Sequence, residues 1–241
     1  MKKYKYLLFD NDGTLMDFKK CEEYAFEKAY KKSGAHDIIP YSEDILKLYS
    51  KVNDSWWKKL ERKECTRDEL MTGRFKEFLS KLNINSIDPK TLSNEYPVCL
   101  SESCFLFDGA KELLSALYEH YRIYIITNGI GFVQKKRINK CEYLPFIEGI
   151  FISEELGAVK PEKEYFDKVL SNINAKKEEC LIIGDSLSAD IKGGNLSGID
   201  TLWYNPENAS SKNGISPTFI FDNYSDILSF LLKIKNFQPY L

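Results

Sequence analysis

The chain has 241 residues, 43% of them hydrophobic and 29% charged, with a formal net charge of −2. That length allows one full α/β domain with a smaller insertion. The near-neutral charge carries no basic footprint, which excludes nucleic acid and anionic membrane surfaces as main partners. No window approaches the roughly 18 apolar residues of a membrane span. The apolar stretch after Lys5 is too short for a secretion signal, so the expected location is the cytoplasm. Six cysteines (Cys21, Cys65, Cys99, Cys104, Cys141 and Cys180) form no Cys-x-x-Cys pair, and only His36 and His120 could join them. A zinc site is therefore not expected, and reduced structural thiols are. With two histidines, acid–base chemistry falls mainly to carboxylates.

In chain order, the first expected strand is 5–9, whose apolar run Tyr6-Leu7-Leu8-Phe9 leads directly into Asp10-Asn11-Asp12-Gly13-Thr14. A buried strand does not end in two acids by default, because an unpaired buried carboxylate needs a metal or a cation nearby. In an open α/β sheet the carboxyl end of a strand is where ligands bind. The pair is thus a candidate Mg²⁺ site and nucleophile together. Residues 18–103 show helical periodicity over 21–32, 43–60 and 67–82, with breaks at Ser33-Gly34, Cys65-Thr66 and Asp88-Pro89. That stretch reads as a helical insertion.

From Arg122 onward, strand-like runs alternate with helical patterns. The runs are 122–126, 149–152, 180–183 and 201–204, followed by a polar loop over 205–217 and a last short strand at 218–221. A helix is expected over 161–170, with Pro161 at its first position. Such alternation predicts βαβ units, and so an α/β fold with a doubly wound parallel sheet and helices on both faces. The expected division is 1–17 and 104–241 for the α/β core, with 18–103 as the inserted helical domain.

Four features fall at strand ends or a helix start: Asp10-x-Asp12-Gly13-Thr14, Thr127-Asn128-Gly129, Lys160-Pro161, and Gly184-Asp185 with Asp190 five residues on. Singly, each has a plain reading as a turn, a strand end, an exposed helix start or surface acids at a helix N-terminus. In this order they resemble the four motifs of the haloacid dehalogenase superfamily of phosphatases, over nearly the whole chain, including a helical cap after the first strand. The resemblance implies a Rossmann-like core and Mg²⁺ as cofactor. It makes Asp10 the nucleophile that forms an aspartyl-phosphate and Asp12 the proton carrier for the leaving alcohol and the attacking water. It gives the metal to Asp10, the backbone carbonyl of Asp12, and Asp185. Thr127, the backbone N–H of Asn128 and Lys160 would bind phosphate, and Asp190 would hold Lys160 or a metal-bound water. One departure is Asn11, where the family more often has an apolar residue. Its side chain is expected to point away from the metal and to affect packing, not chemistry.

The second acid, Asp12, argues for phosphoryl transfer and against dehalogenation, since a leaving halide needs no proton. A β-phosphoglucomutase-like mutase, a sugar-phosphate phosphatase and an inactive phosphate-binding module stay open on these residues. In the insertion, the run from Asn53 through Trp56, Trp57 and Glu64, then Thr66-Arg67-Asp68-Glu69-Leu70 and Arg74-Phe75, resembles the bacterial pyrimidine 5′-nucleotidase branch. So do 151–157 and 190–194. A nucleoside monophosphate is the substrate this implies for a monomer or weak homodimer. Trp56 and Trp57 are adjacent, so at most one faces a given side of the helix. Their plain reading is core packing, and that of Arg74 is a solvated arginine; the alternative for each is a place in the lining of the substrate pocket.

Overall fold

The computed structural model describes residues 4–211 and 214–236. Six parallel strands form one sheet: β1 (Tyr6–Asp10), β2 (Arg122–Thr127), β3 (Gly149–Ile152), β4 (Cys180–Gly184), β5 (Asp200–Tyr204) and β6 (Phe219–Phe221). Their spatial order is β3-β2-β1-β4-β5-β6. The strands run apolar because both faces are covered, as parallel sheets require. On one face Tyr6, Leu8, Tyr124, Ile126 and Ile182 pack with Tyr165, Phe166 and Val169 of a helix, Lys163–Asn172. On the other, Leu7, Phe9, Ile125 and Ile183 are equally buried.

The order of strands decides where a ligand can sit. Chain connectivity leaves β1 for β2 on one side and reaches β4 on the other, so the reversal point of the sheet lies beside β1. The register pairs Asp10 with Ile126 and Phe9 with Ile183. Asp10, Thr127 and the residues just beyond Gly184 are thereby brought to one edge.

Contacts divide the chain into two compact units, 1–17 with 106–134 and 138–241, and 18–105 with 135–137. The second is helical, built from α1 (Phe18–Lys32), α2 (Ala35–Ile38), α3 (Glu43–Glu61), α4 (Arg67–Lys81) and α5 (Pro89–Leu100). Local chemistry explains its boundaries. Thr66 and Glu69 form a reciprocal capping box at the start of α4. Asp88 caps α5 with Pro89 at its first turn, so the break at Asp88-Pro89 is a helix start. The interior is aromatic: Phe26 stacks on Tyr49 at 4.0 Å between ring centroids, and Tyr49 on Phe75 at 5.4 Å.

Arg74 departs from the solvated reading. Only 1% exposed, it donates Nη1 to Asn53 Oδ1 at 2.7 Å, and Asn53 Nδ2 donates to Glu22 at 2.8 Å. Its guanidinium lies over the rings of Phe75 and Tyr96, a stacking that suits a planar cation. Trp56 packs over Gly73, where a Cβ would come within 2.2 Å of the indole, and donates Nε1 to Glu77 at 2.9 Å. Trp56 therefore joins α3 to α4. All six cysteines are free thiols. Among the described residues, no helix is long and apolar enough to cross a membrane.

Candidate active site

Asp10 is the last residue of β1 and is buried, as is Lys160. Lys160 Nζ donates to Asp10 Oδ1 at 2.6 Å, to Asp190 Oδ1 at 2.7 Å and to the Ile126 carbonyl at 3.1 Å. Its three ammonium protons thus have three acceptors. The backbone holding Lys160 is itself fixed by Asn128, whose side chain accepts from the Lys160 N–H at 2.9 Å and donates to its carbonyl at 2.8 Å. The Lys160-Pro161 bond is cis. Pro161 does not open the helix: Lys163–Asn172 begins two residues later, after Glu162.

Thr14 ties the first strand to the fourth. Its Oγ1 lies 3.2 Å from Asp10 Oδ2 and 2.9 Å from Asp185 Oδ1, and accepts from the Asp185 N–H at 3.0 Å. A hydroxyl has one proton to give, so it serves one carboxylate at a time. Gly13 makes the approach possible: at φ +95°, a Cβ there would lie 2.6 Å from Asp185 Oδ2. Beyond β4 the chain makes a single π-type turn over Leu187–Ile191, a local widening common at functional sites. It swings Asp190 back so that Oδ2 accepts from the Ser186 N–H at 3.1 Å while Oδ1 meets Lys160. Thr127 ends β2, where its N–H donates to the Tyr165 hydroxyl at 3.1 Å and its Oγ1 accepts from the Gly129 N–H at 3.0 Å.

Electrostatics follow from this crowding. Burial pushes the Asp10 carboxyl well above the usual range, against the pull of Lys160. Burial and the neighbouring Asp190 push Asp185 up to about 7. Burial alone would lower Lys160, but Asp10 and Asp190 outweigh it and hold the ammonium above its ordinary value. Oxygens of Asp10, Asp185 and Asp190 lie within 4.8 Å of one another. Three carboxylates against one ammonium leave an excess of negative charge, and an all-oxygen set suits a hard divalent cation. The Asp12 carboxylate is not in this group. Its Oδ2 accepts from Gln134 Nε2 at 2.6 Å.

The ends of the strands therefore gather Asp10, Lys160, Asp185 and Asp190 in one cluster, while Thr127 meets Tyr165 and the Asp12 carboxylate meets Gln134. Thr14 and Tyr165 were not singled out for a role. Thr14 stands in the same turn as the two acids, so its link to Asp185 had a local signal. Tyr165, 38 residues from Thr127, had none.

A haloacid dehalogenase-like hydrolase model matches residues 4–198. The chain belongs to this family of hydrolases. It is 38% identical to YfnB of Bacillus subtilis, a HAD-hydrolase by name, covering 98% of each chain. To the pyrimidine 5′-nucleotidase PynA of Streptococcus pneumoniae it is also 38% identical, covering 95% of this chain and 96% of PynA. A second pyrimidine 5′-nucleotidase, YjjG of Escherichia coli, is 29% identical over 96% of this chain and 99% of YjjG. The crystal structure of YfnB bound to magnesium superposes with a TM-score of 0.88 at 37% identity, over 95% of this chain and 99% of that one. The parallel sheet with its flanking helices is thus the fold of this hydrolase family.

Proposed function

We propose that the protein is a Mg²⁺-dependent phosphomonoester hydrolase that works through an aspartyl-phosphate on Asp10, with pyrimidine nucleoside monophosphates as substrates. The observation that carries the chemistry is the buried chain from Asp10 through Lys160 to Asp190, set beside Asp185 and Thr127 at the reversal point of the sheet. The substrate class is supported by the identity to PynA along nearly its whole length. Asp10, the backbone carbonyl of Asp12, and Asp185 would hold Mg²⁺, which when bound supplies positive charge against the phosphate and the clustered acids.

In the first half-reaction a carboxylate oxygen of Asp10 bonds to phosphorus as the bond from phosphorus to the ester oxygen breaks. Asp12 gives its proton to that departing oxygen, so the nucleoside leaves as an alcohol. In the second, the oxygen of a water bonds to phosphorus and the bond to Asp10 breaks. Asp12 takes the proton of that water and is returned to its starting state. Lys160 keeps Asp10 approachable by an anionic phosphate and offsets charge on the transferred group. Thr127 and the backbone N–H of Asn128 receive phosphoryl oxygens, and Asp190 fixes the direction of Lys160.

The test is release of inorganic phosphate across nucleoside monophosphates and sugar phosphates, with Mg²⁺ and with EDTA. Thymidylate- and uridylate-type substrates should lead, activity should vanish with EDTA and return with Mg²⁺, and Asp10→Asn should abolish it with the fold intact. Substantial turnover by Asp10→Asn sinks the nucleophile. No release from pyrimidine nucleotides removes that substrate class, and conversion of a sugar phosphate to its isomer with little free phosphate shows a mutase.

A further inference from the structure

Asn11 is fully buried and hydrogen-bonded, which a packing residue need not be. Its Nδ2 donates to Gln134 Oε1 at 2.7 Å, and its Oδ1 accepts from the Tyr143 hydroxyl at 2.6 Å. Gln134, 2% exposed in the helix Gly131–Ile138, passes the chain on by donating Nε2 to Asp12 Oδ2 at 2.6 Å. Tyr143, Asn11, Gln134 and Asp12 thus form a relay whose first three members are shut off from water.

The direction of each bond is forced from the Asp12 end. Asp12 Oδ2 accepts from Gln134 Nε2, so the Gln134 amide turns its NH₂ to Asp12 and its carbonyl oxygen to Asn11. Asn11 must then present its own NH₂ to Gln134 and its carbonyl oxygen to Tyr143, which donates. Both amides are held in one orientation. Gly129 is shaped to this arrangement, since a Cβ there would sit 2.1 Å from Gln134 Nε2. The glycine of Thr127-Asn128-Gly129 is therefore needed where the Gln134 amide crosses it.

We infer that Gln134, backed by Asn11 and Tyr143, is a positioning residue that holds the Asp12 carboxyl through Oδ2 and so sets the direction in which Asp12 exchanges its proton. The relay fixes the angle of the acid. Asn11 thereby bears on chemistry through Asp12, although its own side chain bonds to Gln134 and Tyr143. The inference rests on the acid–base role proposed for Asp12.

The experiment compares kcat/KM for a nucleoside monophosphate and for p-nitrophenyl phosphate, in wild type, Gln134→Met, Asn11→Leu and Tyr143→Phe. This quantity covers the steps through departure of the alcohol and leaves out hydrolysis of the phospho-enzyme. The nucleoside leaves poorly without a proton and p-nitrophenolate leaves readily. Gln134→Met should therefore lose about 10- to 100-fold on the nucleotide, the scale expected for a misplaced catalytic group, and less than about threefold on p-nitrophenyl phosphate. Asn11→Leu and Tyr143→Phe should show the same bias with smaller losses. Equal losses on both substrates, or none, overturn the inference. If Gln134→Met fails to fold, Tyr143→Phe, which removes one hydroxyl, decides by the same comparison. A wild type that hydrolyses neither substrate instead rejects the proposed function, and the positioning role falls with it.

Discussion

Lys160 Nζ lies 2.6 Å from Oδ1 of Asp10, two residues 150 positions apart that meet as a buried ion pair. A second carboxylate, Asp190, closes on the same ammonium from the other side. The pair is more than local neutralisation. It lets an acid persist at the end of a strand whose other residues are apolar.

Replacing Lys160 with Met leaves these acids without their cation. Removing one partner of a buried pair costs about 3–5 kcal/mol. Lys160 holds its proton above the ordinary lysine value, so its contribution is complete throughout the neutral range and is lost only as pH rises past that value. In the variant, protonation of the orphaned carboxylates offers relief at low pH. Denaturant unfolding without metal should therefore show a larger deficit at pH 8 than at pH 5.5, and a deficit that does not grow with pH would count against this compensation.

Asp185 is expected to set the pH dependence of ion binding. Its pKa is raised from 3.8 to about 7 by burial and by Asp190. The metal-free protein is then most stable below the ordinary value and loses that contribution as pH rises toward 7. A proton must leave before the carboxylate can hold an ion, so the apparent Mg²⁺ affinity should fall as pH drops through about 7. Titration calorimetry at pH 6 and 8 reads this directly. Asp185→Asn should abolish both the binding and its pH dependence.

Gly13→Ala meets two obstacles at once. The backbone there has φ +95°, and the new methyl would press on Asp185 Oδ2. The positive φ alone costs about 1–2 kcal/mol. Thermal unfolding should register that loss. Activity should fall by more than stability explains, at least about tenfold, because Asp185 is displaced with respect to Asp10.

Arg74→Met tests the polar centre of the helical unit. Burial raises the Glu22 carboxyl, while Ser50, Asn53 and Arg74 hold it down. Without the arginine, the buried Glu22 loses the cation that holds its carboxyl down, and a loss of about 3–5 kcal/mol is expected. A raised carboxyl favours the fold below its ordinary value and penalises it above, so the loss should be greater at pH 8 than at pH 5. Adding Glu22→Gln should restore part of the stability, a non-additivity that separates a charge network from simple loss of packing.

Local periodicity was enough to read all six strands to within one residue at either end. The reason is that a strand buried on both faces must be apolar throughout, whatever it pairs with. The acids and the threonine just past the strands were legible because each ends such a run with a charge or hydroxyl that burial disfavours, whereas Lys160, outside any strand, was legible only from its place in the order of motifs. The helix after Lys160 was placed two residues early, because a proline suits both a first helical turn and a cis junction. Arg74 was read as solvated, because a helix pattern cannot tell a cation stacked between rings from one in water. The link from Asn11 to Gln134 spans 123 positions. Nothing near either residue announces it, since it exists only once parallel pairing sets β2 beside β1. The sequence by itself therefore determined which chemistry the strand ends could support. Only the tertiary structure decided which oxygen of Asp12 faces an amide, because that depends on register and on side chains distant in the chain.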